Sequence, residues 1–381
     1  MLGALPSICQ SITNQSTPTP TRKERDIACK GDFNLITQNV RGLREKKKRI
    51  KVFEYLKNKK AGIALVQEAH CTKEIETLWK NEWGGDIVFS HGTSKSTGVM
   101  ILIPDGFDIT INKTFTDNAG RIIILSVTIQ DSKYLLYNVY APNSKNEHNI
   151  FLKELKQTLE NFKTEDYDYV IGGGDWNFTE YDIDRSGGNY TIWQENSATL
   201  TEITEKLDII DIWRVRNPEE RRYTFRQKKG GHIIQARLDR LYISDTLQYN
   251  VSNVDISPSI SSDHSGVVLS IRPIGDKHQN GSSYWRFNNS LLRNKDFTTN
   301  LKNYIIRTKI ECNGIVSKQV AWEYLKFKIK TESIKQSKIL ATARRKEEKE
   351  LEEQILLLEE NLGNEPTEQL YNTLLDSKAK L

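Results

Sequence analysis

Short apolar runs closed by polar or glycine-containing breaks recur along the first two-thirds of the chain. Phe33–Val40, Ala61–Val66, Ile87–Phe89, Gly98–Ile103, Ile122–Ile129, Tyr134–Tyr140 and Tyr169–Ile171 have the length and β-branched content of strands. Between them, residues 45–59 place Ile50, Phe53 and Leu56 on one helical face. Asn149–Phe162 and Ser197–Leu207 also show helical spacing. Two extended arms within Tyr223–Ile243 enclose Lys228-Lys229-Gly230-Gly231, a hairpin signal. Val251–Ile256 and Gly266–Ile271 add the last strands. Many strands with few helices predict an α/β (α+β) fold: a four-layer, two-sheet β-sandwich flanked by helices.

The pattern changes at both ends. Residues 1–30, rich in Ser, Thr, Pro, Gln and Asn, are expected to be disordered. The sandwich is expected over 31–273, followed by a polar linker at 274–283. Residues 284–381 have almost no strand signal and much Lys, Glu and Leu, so they predict an extended helical tail, partly coiled coil, with little core of its own. Leu351, Ile355 and Leu358 share a face there; Gly363 and Pro366 break the helix, and Thr367 starts another.

The formal net charge of +5 says little, but its distribution says more. Arg22–Lys60 holds 14 Lys and Arg against 5 Asp and Glu, and Lys277–Lys349 holds 17 against 6. From Glu350 onward the balance is 2 against 8. Basic segments flanking a globular core suit a polyanionic partner, although solvated helix faces would give the same count. The four cysteines have neither zinc spacing nor a disulfide framework, which fits a reducing compartment. No apolar stretch approaches the ~20 residues of a membrane span, and no secretory signal is visible.

Candidate chemistry centres on Gly172-Gly173-Gly174-Asp175-Trp176-Asn177, after the apolar run Tyr169-Val170-Ile171. The glycines allow a sharp turn that presents Asp175 and Asn177 together, a pairing suited to phosphodiester hydrolysis: one group for water, one for a phosphoryl oxygen. Alone, the same stretch reads equally well as a solvated turn. Asn39, Glu68, Tyr140, Asp239, and Asp263 with His264 are assigned the same position type, the carboxyl end of an apolar strand. In a layered sheet protein such ends converge on one rim. Three acids gathered there suffice for an oxygen-ligated Mg²⁺. An imidazole with a buried Asp partner is polarised, and Asn and Tyr supply neutral donors.

Taken in order, Gln38-Asn39-Val40-Arg41-Gly42-Leu43, Val66-Gln67-Glu68-Ala69-His70, Asn138-Val139-Tyr140-Ala141-Pro142-Asn143, Gly173-Gly174-Asp175-Trp176-Asn177, Arg237-Leu238-Asp239 and Ser262-Asp263-His264 resemble the endonuclease/exonuclease/phosphatase superfamily. That superfamily includes DNase-like enzymes, exonuclease III and apurinic/apyrimidinic endonucleases. Asp184-Arg185-Ser186, Tyr223-Thr224-Phe225 and the run from Tyr284 to Leu292 look most like the endonuclease domain and connector of LINE-type, non-LTR retrotransposons. The resemblance implies an Mg²⁺-dependent endonuclease, with Mn²⁺ as the alternative ion, that nicks double-stranded DNA in the nucleus without contacting a membrane. Helix-mediated self-association, or contact with retrotransposon machinery, would fall to the tail.

The roles it implies are specific. Glu68 binds the metal, helped by Asn39. Asp175 orients or deprotonates water, while Asn177 and His264 hold the scissile phosphate. Asp239 fixes the His264 tautomer, Tyr140 sits by the phosphate or leaving oxygen, and Asp263 completes an acidic rim. Arg41, Arg185, Thr224, Lys228 and Lys229 are expected to contact substrate. Arg41 stands where repair members often carry an acid, which weakens any case for a second metal. Ala236 replaces an aromatic wall of animal abasic-site enzymes, which weakens any case for an abasic-sugar pocket. Two other readings stay open: a phosphatase or phosphodiesterase acting on inositol phosphates or lipids, and an inactive domesticated element acting through its helices.

Overall fold

The computed structural model describes residues 32–188, 193–258, 261–272, 287–312 and 317–381. The expected disordered segment 1–30, the linker 274–283 and Tyr284-Trp285-Arg286 lie outside them.

In chain order the main elements are β1 (Phe33–Asn39), α1 (Lys46–Asn58), β2 (Ala61–Gln67), α2 (Glu76–Trp83), β3 (Gly85–Ser90), β4 (Val99–Pro104), β5 (Ile109–Thr116), β6 (Ile122–Ile129), β7 (Ser132–Tyr140) and α3 (Lys145–Glu160). There follow β8 (Tyr169–Asp175), β9 (Arg185–Ser186), α4 (Gln194–Leu207), β10 (Ile209–Asp211), α5 (Ile212–Arg216), β11 (Phe225–Lys229), β12 (His232–Ala236), β13 (Asp239–Ser244), β14 (Val251–Ser257) and β15 (Gly266–Ile271). Three helices close the chain: α6 (Lys295–Cys312), α7 (Lys318–Asn364) and α8 (Glu368–Lys380).

Two six-stranded sheets form, in the orders β14-β15-β1-β2-β4-β3 and β10-β13-β8-β7-β6-β5. A small third sheet, β11-β12-β9, carries the hairpin. Leu35, Leu65 and Ile101 of the first sheet meet Ile123, Leu136 and Leu241 of the second in one buried core. On the outer face of the second sheet, Leu152 and Leu155 of α3 and Leu200 and Ile203 of α4 pack on Tyr137, Val139 and Val170. The helices α1 and α2 bury Phe53, Leu56, Trp79 and Trp83, and the Trp83 indole N–H donates to the Ile103 carbonyl at 2.8 Å. These are the layers that the alternation of apolar runs predicts. No apolar run marks β5, because six of its eight residues are exposed and its pattern is polar.

A polar seam crosses the apolar interface. Gln67 Nε2 donates to Thr37 Oγ1 at 3.0 Å and to Asn138 Oδ1 at 2.6 Å. Asn138 Nδ2 donates to the carbonyls of Val66 and Met100. All three side chains are fully buried, and Asn138 belongs to the second sheet while its partners belong to the first.

The glycine run has a steric cause. A Cβ on Gly172 would lie 1.7 Å from the Tyr137 ring on the adjacent strand. One on Gly174, whose φ is +147°, would lie 1.9 Å from the Val139 carbonyl oxygen.

The chain divides into two compact units, one grouping Met1–Gly281 with Ile355–Lys380 and the other spanning Ser282–Gln354. The Lys-, Glu- and Leu-rich composition of 284–381 predicts a single tail with little core. In the structure Ile355, Leu362 and Leu374 are fully buried, and Ile355–Lys380 groups with the two-sheet unit. The Leu351/Ile355/Leu358 stripe reads as coiled coil because a helix pattern does not name the surface that covers it.

Candidate active site

Strand register assembles the site. Tyr140 at the end of β7 lies opposite Asp175 at the end of the parallel β8. Asp175 in turn lies opposite Asp239 on antiparallel β13. In the first sheet, Asn39 ends β1 and pairs with Gln67, which precedes Glu68. One expectation needs correction here: Asp239 opens β13, and Asp263 and His264 precede β15, so none of them sits at a carboxyl end. They reach the same rim because β13 and β15 run antiparallel to β8 and β1.

Asn39 joins the sheets. Its Nδ2 donates to Glu68 Oε1 at 3.0 Å and to Asp175 Oδ2 at 2.9 Å, while its Oδ1 accepts from the Arg41 N–H at 3.0 Å. The amide therefore turns its donor face, not its oxygen, toward the carboxylates. His264 Nδ1 lies 2.8 Å from Asp239 Oδ2, and its Nε2 lies 3.9 Å from Asp175 Oδ2. Burial opposes a charged His264 imidazole, but Asp239 and then Asp175 outweigh it and hold the group protonated above its ordinary range. Burial pushes the Asp175 carboxyl up, against the pull of His264. Burial likewise raises the Tyr140 hydroxyl, which keeps its proton and hydrogen-bonds Glu68. Arg41, Glu68 and Asn177 are non-glycine residues at φ of +47°, +51° and +52°, the kind of backbone strain that collects at functional sites.

Other expected residues are placed differently. Asn177 Nδ2 donates to the Ala141 carbonyl at 2.8 Å, and its N–H donates to Asp175 Oδ1 at 3.0 Å. Asp263 is tied to Arg41 at 2.7 Å, which offsets the charge of both. Thr224 is fully buried; its Oγ1 accepts the N–H groups of Leu238 and Asp239, each at 3.0 Å. That corrects its expected substrate role, because a hydroxyl with no exposed surface and two committed donors orients Asp239 instead. Lys228 pairs with Glu368 at 2.5 Å, while Lys229 is exposed on the hairpin. Arg185 stands in β9, opposite Ala236 of the hairpin.

Residues that position the site are not marked as such by any sequence motif. Arg237 Nε and Nη2 both bind the Asp184 carboxylate, and its Nη1 binds Asp211. Asp184 and Arg237 both lay in noted motifs, but nothing in their spacing joins residues so far apart. His148 of α3 donates from Nε2 to the Trp176 carbonyl at 2.7 Å and accepts from Asn196 at Nδ1, also at 2.7 Å.

Asp175, Asp239 and His264 bring one ligand atom each within 4.8 Å of one another. The imidazole is already hydrogen-bonded to Asp239, so this trio reads as a proton-bearing network. Glu68 fits a metal better. It is part-exposed at the rim, and a hard divalent ion favours oxygen donors such as its carboxylate.

Residues 36–264 match the Endonuclease/Exonuclease/phosphatase family. The chain belongs to that family. A curated relative, the Transposon TX1 uncharacterized 149 kDa protein of Xenopus laevis, is 29% identical over 352 residues, covering 92% of this chain. This chain spans only 26% of that protein's length. Solved structures of the same fold include the AP endonuclease LMAP from Leishmania major, with a TM-score of 0.54 and 18% identity over 64% of this chain and 89% of that one. An AP endonuclease from Archaeoglobus fulgidus has a TM-score of 0.51 at 22% identity, covering 63% of this chain and 99% of that one. The 3′ phosphatase NExo from Neisseria, bound to a product DNA hairpin, has a TM-score of 0.51 at 17% identity, again covering 63% and 99%. Among the described residues, no helix is long and apolar enough to cross a membrane.

Proposed function

We propose that this chain is a divalent-metal-dependent endonuclease that nicks double-stranded DNA. The observation that carries the reading is the Asn39 bridge. One amide ties Glu68 of the first sheet to Asp175 of the second, with His264 3.9 Å from the same Asp175 oxygen.

In this reading Asp175 orients a water molecule and takes its proton as the water oxygen bonds to phosphorus. The bond from phosphorus to the leaving sugar oxygen breaks, and that oxygen takes up a proton from solvent. The raised pKa of Asp175 suits a base working near neutrality. His264, protonated on both ring nitrogens, directs its Nε2–H at a phosphoryl oxygen, while Asp239 accepts from Nδ1 and fixes the orientation of the ring. The Tyr140 hydroxyl, kept protonated by burial, stands by the phosphate or leaving oxygen. Asn177 is held at the rim beside Asp175 by its bond to Ala141 and presents its remaining amide hydrogen to the phosphate. Glu68 would hold Mg²⁺ or Mn²⁺, which when bound neutralises charge developing on phosphate oxygens. Asn39 steadies Glu68 from the side.

Lys229 and Arg185 supply cations around the rim for DNA phosphates, and Arg41 and Lys228 join them where Asp263 and Glu368 release them. The TX1 relative suggests a setting in which the nuclease is one part of a longer transposon protein, with the helices after the sandwich as connector.

The test is incubation with supercoiled plasmid. Nicked circles should form with Mg²⁺ or Mn²⁺, disappear with chelator, and be absent for Glu68→Gln although that variant melts like the wild type. Release of inorganic phosphate from 3′-phosphorylated DNA or inositol phosphates, without nicking, would replace this reading with a phosphatase.

A further inference from the structure

Glu359 lies in α7, well past the family match, yet it is buried and three groups meet at its Oε1. Arg226 Nη1 donates at 3.0 Å, Lys378 Nζ lies at 2.8 Å, and Ser265 Oγ donates at 3.3 Å. Two of these partners flank the histidine. Ser265 follows His264, and its N–H donates to the Thr224 carbonyl at 2.6 Å. Arg226 follows Phe225, which forms a backbone bridge with His264 and places its ring centroid 5.0 Å from the imidazole. Thr224, between those two contacts, holds the N–H groups of Leu238 and Asp239.

A second tie runs from Gln235 Nε2 on the hairpin to the Leu362 carbonyl at 3.0 Å. Burial alone would raise the Glu359 carboxyl, but Arg226 and Lys378 outweigh it and keep it ionised. Buried charges of this kind are strongly destabilising once one partner is removed, so the contact has little tolerance for displacement.

We propose that Glu359 is a positioning residue of the nuclease site. The helix segments within Ile355–Lys380 grip Arg226 and Ser265 together, and so hold His264 in line with Asp239. Site geometry thus depends on residues about a hundred positions beyond the family match. The inference rests on the nuclease reading for its catalytic consequence, but not for its geometric one.

The 381-residue chain provides the test. In single-turnover nicking at saturating protein, Glu359→Gln should lower the rate about tenfold or more, with plasmid affinity kept. It should add nothing to His264→Ala, because it acts through that residue. Equal losses in both backgrounds mean only less folded protein and overturn the proposal. If Glu359→Gln does not fold, Arg226→Met/Glu359→Leu/Lys378→Met replaces the ions with apolar groups, a change that buried networks often tolerate. That variant should also nick slowly, and a wild-type rate overturns the proposal. Proton NMR supplies a readout without DNA. The His264 Nδ1–H bonded to Asp239 should exchange with water faster in either variant, and unchanged exchange overturns the inference whether or not the protein cleaves. A wild-type chain that never nicks, but whose variants loosen this proton, sinks the nuclease reading and leaves the positioning role standing.

Discussion

Asp184 and Arg237 form a bidentate pair, with two contacts of 2.7 Å between fully buried side chains. Asp211 takes the third arm of the guanidinium, and Arg214 joins Asp184. Arg237 is two residues from Asp239, so this ionic knot sets where β13 starts and where the Asp239 carboxylate stands. Asp184→Asn should therefore destabilise the protein by about 3–5 kcal/mol, because it leaves a buried guanidinium half paired. Urea unfolding checks this. A loss below about 1 kcal/mol would mean that the knot behaves like a surface ion pair.

His264 and Asp239 should act as one unit. Each of His264→Ala and Asp239→Asn should reduce nicking by about 10²–10⁴-fold, and the double variant should lose little more than the worse single one. Losses that multiply would show two independent groups.

Acid should weaken the fold through His148. Burial, opposed by its bond to the Trp176 carbonyl, lowers its pKa from 6.5 to about 4. The unfolded chain therefore binds a proton that the folded one refuses, and stability falls as pH drops from 6.5 toward 4. Integrated over that window, the effect is about 3 kcal/mol. His148→Gln should flatten the slope of unfolding free energy against pH over this interval. If the slope survives, His148 is not its source.

Shortening the β11–β12 hairpin should change which sites are nicked more than the rate at an optimal site, as expected for a projection that reads groove width. Lys228→Ala with Lys229→Ala should weaken binding at all sites. It should also reduce the salt dependence by up to about two phosphate contacts. Sequencing nick positions on one plasmid decides the first point, since identical cleavage maps would leave the hairpin without a reading role. Titration at several salt concentrations decides the second.

Much of this fold was legible because buried strands write themselves as apolar runs, and each run from Phe33 to Ile271 that was read as a strand is one. The candidate residues are legible as an ordered set of motifs, and the structure gathers Asn39, Glu68, Tyr140, Asp175, Asp239 and His264 on one rim. What stayed hidden was pairing. Thr224 looked like a polar residue available to DNA because its two backbone partners lie fourteen and fifteen positions away across a hairpin. Glu359 looked like one of many acids on a solvated helix, since its meaning depends on an arginine 133 positions earlier. Periodicity reports which face is covered, never by what.

The seam of Thr37, Gln67 and Asn138 bears on alignment. Two greasy faces can slide over one another with little change in contact energy, so oil alone would leave the sheets free to settle at several offsets. Buried amides remove that freedom, because each has only a few acceptors within reach and pays a heavy desolvation cost if it misses them. Glu68 and Asp175 ride on opposite plates of this assembly. Their meeting at Asn39 is thus set several residues away, by a latch that has one closed position.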